Sequence, residues 1–105
     1  MSQSWDSEAE RFLTLRDEDR WKWFARLLYE LTMLARSTYA VGGNSLNEPE
    51  RMRRFNELFH RIASQQRDNI DGIASRPDAV FMRLLAKELT ALEVDVHSLV
   101  EALRN

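Results

Sequence analysis

Seven apolar residues towards the C-terminal end, Met82, Leu85, Leu89, Leu92, Val96, Leu99 and Leu103, follow one another at spacings of three and four without a miss. An α-helix sets such a series on one face, because 3.6 residues complete a turn. The stretch Ser75-Arg76-Pro77-Asp78 ahead of it carries an N-cap candidate, an early proline and an acidic first turn. Read as one helix, the segment is roughly 40 Å long at 1.5 Å per residue. A stripe of that length must be covered by helices lying beside it. The expectation is an all-α bundle, with this seam as its spine.

The few chain breakers divide the rest. Gly42-Gly43-Asn44-Ser45 and Asp71-Gly72 hold all three glycines, and Pro49 and Pro77 each follow one of these sites closely. Neither an internal repeat nor a linker appears, so residues 1–105 read as a single domain. A short first helix is expected over Ser7 to Leu15, opened by the capping box Ser7-Glu8-Ala9-Glu10, with Trp5, Ala9, Phe12 and Leu13 along one side. A second helix is expected from Glu18 to Val41, stopped by Gly42. Arg16, Asp17 and Arg20 interrupt the apolar stripe and favour a break between these two, although one helix over 7–41 stays open. A third runs from Asn47-Glu48-Pro49-Glu50 to Ile70, with Met52, Phe55, Phe59, Ile62 and Gln66 towards the core. The architecture expected is therefore three long antiparallel helices plus a short N-terminal one.

The second helix has the widest apolar arc. Trp21, Phe24, Leu28, Leu31 and Ala35 form one stripe, and Trp23, Leu27, Leu34 and Val41 a second beside it. That is more than a single neighbour needs, which makes this helix the expected centre of the bundle. Tyr29 and Met33 lie one turn apart on its other side, among Lys22, Arg26 and Arg36. They read either as cover for a solvated face or as a contact surface, since aromatic, Met and Arg residues are enriched where proteins meet. Val80, Leu84 and Val94 fall off the main seam and add to the apolar surface a monomer does not need.

Composition excludes several function classes. With 44% hydrophobic and 30% charged residues, the chain is neither disordered nor low-complexity. It has no cysteine, and hence no thiol chemistry or zinc ribbon. The longest uncharged run, Ser37 to Asn47, contains two Gly and two Asn, so no membrane partner is expected. The N-terminus lacks the pattern of a secretory leader, and the expected location is cytoplasmic. A net charge of −2 argues against nucleic acid. Residues 51–67 do carry five Arg against Glu57 alone, but no aromatic is interleaved on their outer side. Complementarity with the acidic residues 1–19, within the chain or across a dimer, is the reading adopted. Neither a phosphate loop nor a Gly-x-Ser-x-Gly elbow occurs, and no cofactor is expected.

Both histidines stand near carboxylates at helical spacing. Glu57-Leu58-Phe59-His60 is Glu-x-x-His, the spacing of di-iron carboxylate bundles, and Glu93 and His97 are one turn apart. Angular projection turns His60 and His97 away from the core, so no metal site is expected. An outward His suits a phosphoryl acceptor instead. His60-Arg61-Ile62-Ala63-Ser64 resembles the acceptor segment of histidine phosphotransfer domains, with small Ala63 and Ser64 leaving room for a docking receiver. Arg53 and Arg67, two turns to either side, would offset phosphate charge. Those domains usually carry Lys then Gly where this chain has Ala63 and Ser64. The segment Glu57 to Ile62 also resembles the acceptor of one sensor-kinase class, without its downstream asparagines.

Asn56-Glu57-Leu58-Phe59-His60-Arg61 resembles a segment found in small bacterial all-helical proteins without assigned activity. That resemblance implies a compact helical domain and a structural role for Asn56. Taken together, the residues point to a non-enzymatic interaction or regulatory module, a homodimer with helix two or four at its interface. Tyr29, Met33, Arg26, Arg53 and Arg61 are its candidate contact residues, and the alternative is a phosphotransfer-like signalling domain using His60.

Overall fold

The computed structural model describes residues 4–41, 48–70 and 78–104. Five helices occupy them: α1 (Trp5–Thr14), α2 (Asp17–Val41), α3 (Glu48–Ile70), α4 (Asp78–Ala91) and α5 (Val96–Arg104). The principal packing runs in a closed circuit, with α2 on α3, α3 on α4, α4 on α1, α1 on α5, and α5 back on α2. The expected caps of α3 around Asn47 and of α4 around Ser75-Arg76-Pro77 lie outside the described residues, as does Gly42 after α2.

The expected break between the first two helices is present, and α1 starts earlier than expected. Its cap is Ser4, whose hydroxyl oxygen accepts the Ser7 N–H at 3.2 Å. Ser7, expected as the cap, lies inside the helix and accepts from Arg104 instead. At the other end Leu15 turns to extended backbone, and its N–H closes onto the Phe12 carbonyl. Arg20, which interrupts the stripe, reaches back to the freed carbonyls of Leu13 and Leu15 at 3.2 Å each. A helix end needs such donors for its last C=O groups, so one residue both ends the stripe of α2 and seals α1.

The long C-terminal helix is two helices. Glu93 has a φ of 58°, the left-handed region that costs a non-glycine residue about 1–2 kcal/mol. Its N–H bonds to the Thr90 carbonyl and the next N–H, that of Val94, to the Leu89 carbonyl, both at 3.0 Å. This paired closure is a Schellman ending. Asp95 then caps α5, taking the Ser98 N–H at 3.2 Å and the Ser98 hydroxyl at 2.8 Å. Asp competes with backbone bonding through its own carboxylate, and β-branched Val94 and Val96 on either side weaken the case for continuing. The seam survives the break because both helices keep it inward: Met82, Leu85, Leu89, Leu92, Leu99 and Leu103 are buried and Val96 is half-buried. Phe81 and Val100 join them.

Two faces are rotated from expectation. On α2 the buried residues are Trp23, Phe24, Leu27, Leu31 and Ala35, with Leu28 and Leu34 at the margin. Trp21, expected in the core, is 54% exposed, because it lies about 120° of helix rotation from Leu27. The side chain of Val41 lies outside the described residues. On α3 the buried line is Arg51, Phe55, Leu58, Ile62 and Gln65, so Leu58 replaces Phe59, which is half-buried like Met52 and Gln66. Off the main seam, Val80 is exposed and Leu84 half-buried, whereas Val94 packs against the core through the turn. At the centre, Phe12 touches Trp23 and Phe24 with ring centroids 4.5 and 5.6 Å apart, and Phe24 continues the cluster to Phe81.

Candidate functional site

Two polar clusters lock the helices and thereby decide which surfaces are left. The first is built on Glu8, fully buried on the inner side of α1. Its Oε1 accepts from Arg11 Nε at 2.9 Å and Arg104 Nε at 3.1 Å; its Oε2 accepts from Arg11 Nη2 at 2.6 Å and Trp23 Nε1 at 2.8 Å. Burial alone would push this carboxyl up, but the donors from Arg11, Trp23 and Arg104 outweigh it and hold Glu8 below its ordinary value. Three helices are joined at one carboxylate. Nearby, the Trp5 indole N–H donates to the Met82 carbonyl at 2.9 Å and ties α1 to α4.

The second cluster gathers around Asp78 at the first residue of α4. Its Oδ2 accepts from Arg20 Nη1 at 2.6 Å, and its Oδ1 from Gln65 and Asn69. Arg20 also lies 4.8 Å from the centre of the Phe12 ring. This arrangement joins the ends of α1 and α3 to the starts of α2 and α4. Each carboxylate oxygen is taken by donors, although Arg11 of the first cluster and Arg20 and Asn69 of the second also line surface hollows.

Of the large apolar side chains left exposed, Trp21, Tyr29 and Met33 share the outer side of α2. Trp21, Ala25, Tyr29 and Met33 stand at intervals of four residues, a single row along the helix. All four are exposed, Trp21, Tyr29 and Met33 at 54%, 58% and 45%. Arg26 flanks the row, bonded to Glu30 at 3.0 Å and with its guanidinium 6.0 Å from the Tyr29 ring centre. Beside Trp21 a groove of about 270 Å³ runs between α2 and α3, lined by Phe24, Gln66 and Asn69 among others. On the other flank a polar hollow of about 500 Å³ is lined by Arg11, Lys22, Trp23, Arg26 and Leu103. A third groove, about 240 Å³, lies between α1 and α4 over Trp5, Ala9, Leu13, Met82 and Ala86.

The sequence-predicted contact residues therefore divide. Tyr29, Met33 and Arg26 share the outer side of α2. Arg53 and Arg61 are exposed on α3 and committed to carboxylates: Arg53 to Glu50 and Glu57 of its own helix, the latter at 2.6 Å, and Arg61 to Glu88 of α4 at 3.5 Å. Arg53, Arg54 and Arg61 are thus met by carboxylates of α3 and α4, where the partner expected, within the chain or across a dimer, was the acidic N-terminal region. That region turns to other helices, Glu8 pairing with Arg104 of α5. His60 and Asn56 are exposed on α3. His97 points at Glu101, 3.3 Å away. Among the described residues no set of three or more His, Cys, Asp and Glu converges on a metal position.

Trp21, which the sequence placed in the core stripe of α2, is instead the exposed aromatic that joins Tyr29 and Met33 on the outer side of the helix. Its signal was the strict four-residue row with Tyr29 and Met33, hidden by a helix apolar over so much of its circumference. No described helix is long and apolar enough to cross a membrane. No family model, no curated protein and no solved structure matches the chain.

Proposed function

We propose that the protein acts without chemistry of its own, as an interaction or regulatory module that works through helix faces, chiefly the outer side of α2. The observation that carries this reading is the exposed row of Trp21, Tyr29 and Met33 on a helix whose opposite side is closed into the core. Large aromatic and Met side chains left in water at one place are a cost that contact with another surface removes. Arg26 and Lys22 beside the row supply polar contacts at its rim. The test is capture from an extract of the producing cell with the tagged full chain, compared with a Tyr29→Ser, Met33→Ser double variant. The same thermal midpoint with loss of the captured protein is expected. Capture that survives the double variant overturns the reading.

A second reading is favoured by the exposure of His60 midway along α3, with exposed Ser64 one turn on and half-buried Ala63 between them. In it, an imidazole nitrogen takes the phosphoryl group from a donor such as acetyl phosphate, releasing acetate. Arg53, already engaged by two carboxylates, is a poorer neighbour for a phosphate than its position suggests. Incubation with labelled acetyl phosphate decides: acid-labile label that vanishes in His60→Gln supports it, and an unlabelled chain removes it.

A further inference from the structure

We infer that the occupant of the α2 face is a second copy of the chain, its α2 lying antiparallel across a two-fold axis between Ala25 and Tyr29. The inference rests on the reading of α2 as the contact surface and names what sits there. The first argument is the order of sizes along the row. Trp21, Ala25, Tyr29 and Met33 run large, small, large, medium. The two-fold axis sets Ala25 opposite the partner's Tyr29, so the small residue receives the ring, and Trp21 opposite the partner's Met33, a sulfur–aromatic pairing. Interdigitating large with small is what lets helices approach closely.

The second argument is charge. At 1.5 Å per residue, the same axis places the partner's Glu30 midway between Lys22 and Arg26, about 3 Å along the helix from each. By symmetry the pairing occurs twice. A parallel two-fold arrangement would instead carry the Lys22, Arg26 and Glu30 rows of the two copies to opposite flanks of the seam, where they do not pair. The charges beside the row thus select the antiparallel orientation that the side-chain sizes favour.

The third argument sets the strength. Aromatic side chains present about 150–250 Å² each, so a half-exposed Trp21 and Tyr29 with Met33 offer about 300 Å² per copy. Stable interfaces cover about 1,200–2,000 Å² in total. The dimer is therefore a reversible one, filled and emptied by concentration.

Sedimentation velocity on the full chain from about 1 to about 500 µM tests this. The mass should rise from 12.4 kDa towards twice that value, while Tyr29→Glu, melting at the same temperature, stays monomeric throughout. Orientation is read with a short bis-maleimide, made clean by the absence of native cysteine. An equimolar mixture of Lys22→Cys and Glu30→Cys chains, which leave the apolar row intact, should cross-link as the mixed dimer ahead of either chain with itself. A parent that remains monomeric to the highest concentration overturns the inference, as does a dimer indifferent to Tyr29→Glu or one that cross-links without preference for the mixed pair. If the parent is monomeric but capture from extract is still lost in the Tyr29, Met33 double variant, a different protein occupies the face. The contact-surface reading then stands and only the second copy is removed.

Discussion

Glu8 and Glu50 are the same residue holding the same kind of partner in opposite surroundings. Glu50, on the exposed side of α3, accepts from Arg53 and Arg54, three and four residues along its own helix. Glu8, with no exposed surface, accepts from Arg11 on its own helix, Trp23 on α2 and Arg104 on α5. Both carboxyls are held below the ordinary value, Glu50 by its two arginines and Glu8 by donors that overcome the opposing effect of burial. A lowered pKa is therefore no guide to what an ion pair is worth. When the Glu50 pairs break, water takes their place, so such pairs contribute little. When Glu8 is removed, water can reach Arg11 and Arg104, but the buried Trp23 indole N–H loses its partner and three helices lose their common tie.

That contrast can be broken by experiment, beginning where the largest effect is expected. Glu8→Ala should cost about 3 kcal/mol in a urea titration, the upper end for charge-assisted hydrogen bonds, because it also strands the buried Trp23 indole N–H. A loss as small as that of an exposed substitution would show that the cluster does not hold α1, α2 and α5 together. Arg20→Ala removes charge-assisted bonds to Asp78 and to the end of α1, and should cost about 1.5–3 kcal/mol by the same titration. If this value instead exceeds that of Glu8→Ala, the Asp78 cluster is the principal lock.

Acid sharpens the comparison. Glu8 titrates below its unfolded value near 4.5, so under acid the unfolded chain takes up its proton first. The stability due to Glu8 is fully present above that value and is lost as pH falls through the lower folded one. Midpoints of the parent should drop across this window, and those of Glu8→Gln should drop less. Parallel curves for parent and variant would place the acid sensitivity elsewhere. At the small end, Glu50→Gln should leave the thermal midpoint unchanged at moderate salt, where screening weakens exposed pairs further. A clear fall would mean that the α3 ladder holds more than its own helix.

How much of this was legible follows from where each determinant lies. The break near residue 16 was visible because Arg16, Asp17 and Arg20 stand together in the stripe, a local fact. The outward position of Tyr29 and Met33 was visible for the same reason. Glu8 was legible only in part: its 3-4 spacing between Trp5 and Phe12 sets it on the apolar side, opposite Glu10, but its partner Arg104 arrives from 96 residues away. Leu58 and Phe59 are adjacent and both apolar, and the choice between them belongs to the packing of α3 on α2 and α4. At residues 92–95 the seam of threes and fours read straight through a turn. Periodicity reports which side of a segment is buried and is blind to a change of axis that keeps the same side inward.

By itself, then, the sequence determined that the chain is helical, where the breakers cut it, and which residues the seam near its end must bury. These follow from the spacing of apolar residues and the few Gly and Pro sites, which act within a turn or two of the backbone. Tertiary structure alone decided that the last long stripe bends at Glu93 into two helices, that Glu8 and Asp78 anchor the clusters joining the helix ends, and that Trp21 joins Tyr29 and Met33 in the open. Burial of a polar or aromatic side chain is a property of what packs over it. For these residues the covering helix, or its absence, is set by segments far away in the chain.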